Sequence, residues 1–270
     1  MELYGLLGET LCHSFSPMIH ENIFEKVKKK GHYHLFEVKR EDIKKALQGL
    51  LALGIKGVNV TIPYKIEVMK NLDEIGEEAK KIGAVNTISF ENNKMIGYNT
   101  DYYGFGMMLT HYDIDVAGKS AVILGSGGAA HGVIQYLLDK GIEEIIMVSR
   151  TPQKVFQAHK EVFVISYDEL ENLESKDMII NCTPCGMYPK IDVSPVKENI
   201  IVKFHTAIDL IYNPYETLFL SYANKNNVKA VNGLYMLVGQ AMKSQEIWNH
   251  MTFSEKERNE IYEKIKSVMV

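Results

Sequence analysis

The chain has 270 residues, 46% hydrophobic and 24% charged, which suits a soluble globular protein with length enough for one large core or two modest ones. Thirty Lys and Arg against 34 Asp and Glu leave a formal net charge of −4, so the basic excess of a nucleic-acid binder is missing and an anionic ligand must be held by local groups. No stretch approaches the ~20 apolar residues of a membrane span, the opening MELYGLLGETLCHS has no basic leader, and three cysteines do not suggest a disulfide framework, so a reducing cytoplasm is the expectation.

Residues 2–8 (ELYGLLG) read as a strand and 17–30 (PMIHENIFEKVKKK) as a helix. Residues 32–38 (HYHLFEV) form a second predicted strand, and 41–53 a helix with Ile43, Ala46 and Leu47, Leu50 and Leu53 along one stripe. The next strand, 55–62 (IKGVNVTI), places Val58, Val60 and Ile62 on one side and Asn59 and Thr61 on the other, with Lys65 just beyond. Helical runs follow at 66–72 and 77–83. Helix–strand–helix alternation predicts a mainly parallel sheet covered on both faces, whose strands should be apolar throughout. The amide, hydroxyl and ammonium around 59–65 break that rule and point to a polar ligand. Residues 85–98 break the rhythm differently, because two extended runs around Asn92-Asn93 predict a hairpin.

Residues 110–118 are polar and lack apolar periodicity, and read as a passage between domains. A second α/β series then begins at 120–141 (SAVILGSGGAAHGVIQYLLDKG) and continues through 143–154, 176–184 and 206–214. Its opening holds G-x-G-x-x-A at Gly125, Gly127 and Ala130, after a strand and before a helix with Ala130, Val133 and Leu137 on one face. Glycines there allow the tight turn and the approach of backbone amides to a pyrophosphate, so Gly125, Ser126, Gly127, Gly128 and Ala129 are predicted to bind a dinucleotide in a Rossmann-type doubly wound domain. At the next strand exit, where an NAD-specific site places an acid, stand Ser149, Arg150 and Thr151, with Lys154 in the following first turn. Cations at a helix N-terminus oppose the macrodipole unless an anion is bound. NADP is therefore predicted over NAD.

Reading only strand exits collects Ser14, Ser16, Asn59, Thr61, Lys65 and Asn86 from the first series, and Gly125 to Gly128, Arg150, Thr183 and Tyr212 from the second. Asp101 begins the segment that leaves the first domain. In open α/β sheets ligands gather at these ends, and two domains with strand ends facing one cleft are expected. The closing helices, 233–248 and 254–269, place Gln240 on a face with Met236, Leu237 and Ser244. An amide on a buried face needs a partner, so the first of them is expected to return to the first domain. The resulting expectation is a substrate domain of 1–101 with 235–270, and a nucleotide domain of 102–234.

The runs CHSFSP, GVNVTIPYK, GAVNT, GYNTDYYG, GSGGAA, SRT, NCTPCGM, DLIYNP and NGLYMLVGQA resemble the shikimate dehydrogenase family in order and spacing over nearly the whole chain. The resemblance implies reversible, NADPH-dependent reduction of 3-dehydroshikimate to shikimate. It implies Lys65 and Asp101 as the catalytic pair and Ser14 and Ser16 as holders of the substrate carboxylate. Thr61, Asn86 and Gln240 become ligands of its ring hydroxyls or carboxylate, and Tyr212 and Met236 line the substrate and nicotinamide. Ser149 replaces the family's common Asn, NCTPCGM a more usual Ala-Thr-Ser run, and Tyr235 a frequent Gly.

Simpler readings exist for several of these residues. Asp101 suits a helix N-cap, as does Ser14 or Ser16 before Pro17; Asn59 suits a structural role and ranks below Asn86. Cys182 and Cys185 have redox-motif spacing but no companion pair. His13 reads as structural. The rival functions are a broader quinate/shikimate dehydrogenase and a non-catalytic NADP-binding sensor. The expected partner is the small-molecule substrate, without nucleic acid or membrane, in a monomer or homodimer.

Overall fold

The computed structural model describes residues 1–12, 14–154 and 161–269, so His13 lies outside the described residues, as does the side chain of Lys154. The chain divides into two compact units, Met1–Gly104 with Val238–Val270, and Phe105–Leu237.

The first unit is built from β1 (Glu2–Gly8), α1 (Ser16–Lys26), β2 (Gly31–Glu37), α2 (Ile43–Ala52), β3 (Gly57–Val60), β4 (Glu74–Ile75), α3 (Glu77–Ile82), β5 (Thr87–Glu91) and β6 (Lys94–Tyr98). Its six-stranded sheet has the order β2-β1-β3-β5-β6-β4. β1 pairs in parallel with both β2 and β3, whereas β5 runs antiparallel to β3 and β6. The hairpin between β5 and β6 turns on Asn92 and Asn93 at φ 50° and 61°, the left-handed pair that a two-residue loop matching strand twist requires.

Two predicted stripes end early. α2 buries Ile43, Leu47 and Leu50, but Leu53 is its C-cap and stands 76% exposed before Gly54 at φ +70°. The helix predicted through residue 30 stops at Lys26, because the lysine run has no apolar side chains to bury and Lys28 turns to φ 54° to lead into β2. In β3 all four residues are buried, and the strand ends at Val60. Ile62 does not extend the Val58–Val60 row; it is 78% exposed on a turn closed by Tyr64 N–H donating to Thr61 O at 3.0 Å.

Helix α4 (Thr100–His111) begins in the first unit and continues in the second. The polar segment 110–118 thus lies inside the second unit, and the division falls within a helix. The second unit contains β7 (Ser120–Leu124), α5 (Gly128–Asp139), β8 (Glu144–Val148), β9 (Val162–Ile165), α6 (Tyr167–Leu170), β10 (Lys176–Asn181), α7 (Glu198–Ile201), β11 (Phe204–Asp209), α8 (Leu218–Lys225) and β12 (Lys229–Val231). All six strands are parallel, in the order β12-β11-β10-β7-β8-β9. Counted from β7 this is the 3-2-1-4-5-6 arrangement of a doubly wound dinucleotide-binding sheet, with its switch point between β7 and β10. Ala130, Val133 and Leu137 of α5 are fully buried, as their spacing predicts. Periodicity alone marks neither β9 nor β12, which span four and three residues.

Helix α9 (Leu234–Asn249) starts in the second unit, and from Val238 onward belongs to the first; α10 (Glu255–Met269) follows it there. Trp248 of α9 packs against β3, where a Cβ on Gly57 would come within 2.0 Å of its indole nitrogen. Its Nε1–H donates to Ile88 O at 3.0 Å, which ties this helix to the centre of the first sheet.

Candidate active site

Polar side chains of the first unit converge because of strand direction. β1, β3 and β6 point to one edge, and the antiparallel β5 begins there, so residues after β1, β3 and β6 and before β5 become neighbours. The first sheet also reverses its winding at β1, between β2 and β3, which places a crevice at that edge.

Lys65, past β3, and Asp101, in the first turn of α4, meet at that edge. The ammonium donates to Asp101 Oδ2 at 2.6 Å, with the two side chains 17% and 13% exposed. Asp101 is not the N-cap of α4. Asn99 holds that position, accepting from Tyr102 N–H at 3.4 Å and donating to Ala84 O at 3.0 Å. The Asp101 carboxylate is thereby left to the lysine.

Asn86 directly precedes β5. Its Oδ1 accepts from Thr100 N–H at 2.6 Å and from the Thr100 and Thr87 hydroxyls, each at 3.1 Å, which turns the Nδ2 amide away from this cluster. Thr100 Oγ1 reaches Gln240 Oε1 of α9 at 3.5 Å. Thr61 donates its backbone N–H to Leu7 O, and its methyl lies where a Cβ on Gly8 would meet it at 2.7 Å. Ser14 Oγ accepts from Ser16 N–H at 3.2 Å and neither serine is the helix cap; Phe15, whose ring has no acceptor, holds that position. Among the described residues no side chain caps the first turn of α1 at Phe15, and two hydroxyls flank it, an arrangement that suits an anion.

The buried amide in β3 has a framing role. Asn59 Oδ1 accepts from Tyr33 Oη at 2.8 Å, and Nδ2 donates to Thr87 Oγ1 at 2.9 Å and Ser244 Oγ at 2.8 Å. Thr87, Thr100 and Ser244 also contact one another at 3.0 to 3.3 Å. Asn59 therefore joins β2, β3, β5, α4 and α9 below Asn86. Thr87 and Thr100 carry no sequence signal of their own, since isolated threonines are common in strands and at helix starts. Burial of the Tyr33 phenol raises its pKa well above the ordinary range and keeps it a neutral donor.

In the second unit the glycine turn joins β7 to α5. Gly125 has φ +96°, and a Cβ there would stand 2.8 Å from the methyl of Thr183, which follows β10 across the switch point. Gly127 is the N-cap of α5, exposed, with nothing within 4 Å of a built Cβ; no side chain caps the helix and no acid occupies its first turn. Ser126, Gly128 and Ala129 complete this turn at intermediate burial. Uncapped amides behind an open glycine surface fit a pyrophosphate. Beyond β8, Ser149 is buried and its Oγ accepts from Thr151 N–H at 3.2 Å, while Arg150 is exposed. Thr151 precedes a 3-10 turn, Pro152–Lys154; residues 155–160 beyond it lie outside the described residues. An exposed guanidinium with no acid at the exit fits a phosphate on the ribose.

Tyr212 follows β11, and Met236 lies in α9 within the second unit; burial raises the Tyr212 phenol pKa. Cys182 and Cys185 are free thiols, both pushed upward by burial, Cys182 the more strongly. That is the reverse of a reactive redox cysteine.

Two family models match this chain. "Shikimate dehydrogenase substrate binding domain" spans residues 6–88 and "Shikimate / quinate 5-dehydrogenase" spans 109–198. The chain belongs to the shikimate dehydrogenase family. Among curated proteins, the Clostridium beijerinckii "Shikimate dehydrogenase (NADP(+))" is 50% identical over 97% of this chain and 97% of its own length. The Clostridium perfringens (strain SM101) protein of that name is 47% identical over 98% of this chain and 99% of its own. A crystal structure described as a chorismate mutase/shikimate 5-dehydrogenase fusion protein from Clostridium acetobutylicum superposes with a TM-score of 0.96 at 52% identity, covering 100% of this chain and 98% of that one. Ser14, Ser16, Thr61, Lys65 and Asn86 fall inside the first family match, and the residues from Gly125 to Thr183 inside the second. Asp101, Tyr212, Met236 and Gln240 lie outside both.

Proposed function

We propose that the protein catalyses the reversible, NADPH-dependent reduction of 3-dehydroshikimate to shikimate, with Lys65 and Asp101 as its proton-transfer pair. The observation that carries the assignment of the pair is the 2.6 Å contact of ammonium and carboxylate, both mostly buried, from residues 36 positions apart. Membership of the family and the open glycine turn support the reaction and the cofactor. The domain roles follow: substrate and proton transfer with residues 1–101 and 235–270, nucleotide with 102–234.

Bound NADPH supplies the hydride. Gly125, Ser126, Gly127, Gly128 and Ala129 hold its pyrophosphate. Arg150 and Lys154, with Ser149 and Thr151, receive the ribose phosphate, and Thr183, Tyr212 and Met236 border the nicotinamide side. Ser14 and Ser16, at the first turn of α1, hold the substrate carboxylate. Thr61, Asn86 and Gln240 bind ring hydroxyls, Asn86 through the Nδ2 that its own acceptor bonds turn outward. Lys65 Nζ gives a proton to the ring carbonyl oxygen during reduction and takes it back during oxidation, while Asp101 Oδ2 fixes the ammonium and accepts from the substrate hydroxyl. No described helix is long and apolar enough to cross a membrane. Action in the cytoplasm, as a monomer or homodimer, completes the reading.

Shikimate with NADP should raise absorbance at the reduced-nicotinamide band, and quinate should give much less. No change with shikimate rejects the reaction; equal rates with quinate favour the broader enzyme.

A further inference from the structure

At the far side of the second sheet's switch point a buried carboxylate has no place in the steps above. Asp209 ends β11, is fully buried, and stands in register with Asn181, which ends β10 and is equally buried. Among the described residues no cation pairs with Asp209. Its Oδ1 accepts from Asn181 Nδ2 and Ile211 N–H, both at 3.0 Å, and its Oδ2 from the Thr217 hydroxyl at 2.6 Å. Asn181 passes the constraint on. Its Oδ1 accepts from Thr183 N–H at 3.0 Å and Thr183 Oγ1–H at 2.7 Å, and Thr183 Oγ1 accepts from Cys185 N–H at 3.2 Å. The backbone N–H and the hydroxyl of Thr183 are thus directed by Asn181 and the following turn, and its methyl is pressed toward Gly125.

The direction of the Asn181 amide matters. An amide can be inverted by exchanging its oxygen and NH2, and the inverted form would present donors to Thr183, whose own N–H and O–H would then lose their acceptor. The NH2 faces two acceptors, Asp209 Oδ1 at 3.0 Å and Cys185 O at 3.3 Å, which together permit one orientation only. Ionised or protonated, Asp209 keeps it: a proton has room only on Oδ2, against the Thr217 hydroxyl, since Oδ1 already faces two N–H donors.

We propose that Asp209 and Asn181 are positioning residues for the cofactor: by fixing the orientation of the Asn181 amide they hold Thr183 as the wall of the glycine turn. Neither touches the cofactor. The inference rests on the NADP reading and deepens it, assigning affinity for the nucleotide to an acceptor one strand removed from the site.

The test is direct titration of NADPH, followed by its fluorescence, beside calorimetric titration of shikimate and a thermal melt. Asp209→Ala should raise the NADPH Kd about tenfold, the effect of losing roughly one charge-assisted bond. Asp209→Asn can keep an oxygen on Asn181 and its NH2 on Thr217, and should restore the Kd to within about twofold of the parent. The shikimate Kd should stay unchanged in both. Asn181→Leu, close in volume and unable to hold Thr183, should raise the NADPH Kd similarly, and decides the matter if Asp209→Ala does not fold. A folded Asp209→Ala or Asn181→Leu protein with parental NADPH affinity overturns the inference, as does equal loss in Asp209→Asn. A parent protein that binds no NADPH overturns the cofactor reading, and this inference with it.

Discussion

The Lys65 ammonium and the Asp101 carboxylate lie 2.6 Å apart, one following a central strand and the other in the first turn of a helix that begins after the hairpin. The pair exists because β5 doubles back between them, so that the exits of β3 and β6 share an edge. Asn99 takes over the capping of α4, which leaves the carboxylate for the lysine.

Replacing Lys65 by Ala should lower kcat by about 10² to 10⁴, the range of a positioned general acid or base, while KM for shikimate changes far less. Steady-state kinetics in the oxidative direction measure this. A variant that keeps most of its kcat places the proton carrier elsewhere.

Arg150 is exposed at the exit of β8, where no acid stands. Arg150→Ala should weaken NADP by about 10- to 100-fold, as expected for bonds from a guanidinium to phosphate, and leave NAD nearly untouched. The ratio of kcat/KM for the two cofactors is the readout; a ratio that does not move refutes the role.

Asn59 binds three buried hydroxyls from different elements. Asn59→Ala removes the acceptor of the Tyr33 hydroxyl and the amide donor shared by Thr87 and Ser244, and should cost on the order of 3 kcal/mol, read as a lower urea midpoint. Because the same frame sets the direction of Asn86, KM for shikimate should rise too. A stable variant with unchanged KM would show that the frame tolerates its loss.

Asp209 makes stability depend on pH with an unusual sign. Burial raises its pKa from 3.8 to about 7, against the lowering effect of its hydrogen bonds to Thr217, Ile211 and Asn181. The folded protein therefore binds more protons than the unfolded chain between about pH 4 and pH 7, and the contribution of Asp209 to stability falls as pH rises through that window, then levels off. Cys182 and Cys185 face it, but their raised thiols stay neutral there. Urea unfolding of the parent minus that of Asp209→Asn should decline across this range. A flat difference would mean that the carboxylate remains ionised throughout.

Features encoded by near neighbours in the chain were readable without coordinates. The Asn92-Asn93 hairpin, the glycine turn and the buried stripe of α5 each depend on residues within a few positions, where φ preferences and side-chain period act directly. Residue types at strand exits also survive such a reading, because a parallel sheet delivers those ends to one edge whatever the strand order. Asn59 shows the limit. Its amide signalled a polar demand, but whether a ligand or the protein meets that demand depends on Tyr33, Thr87 and Ser244, the last 185 positions away.

Strand pairing and burial settled the rest. β9 and β12 are strands because a neighbour supplies their hydrogen bonds, and Ile62 leaves its row because the chain turns after Val60. Asp101 is a partner of Lys65 and not a cap because Asn99 lies two residues earlier with an acceptor of its own. Asp209 resembles any acid at the end of a strand until three donors and, among the described residues, no cation are found around it. Local propensity is a property of short windows, whereas partners for buried polar groups are chosen by packing across the whole chain.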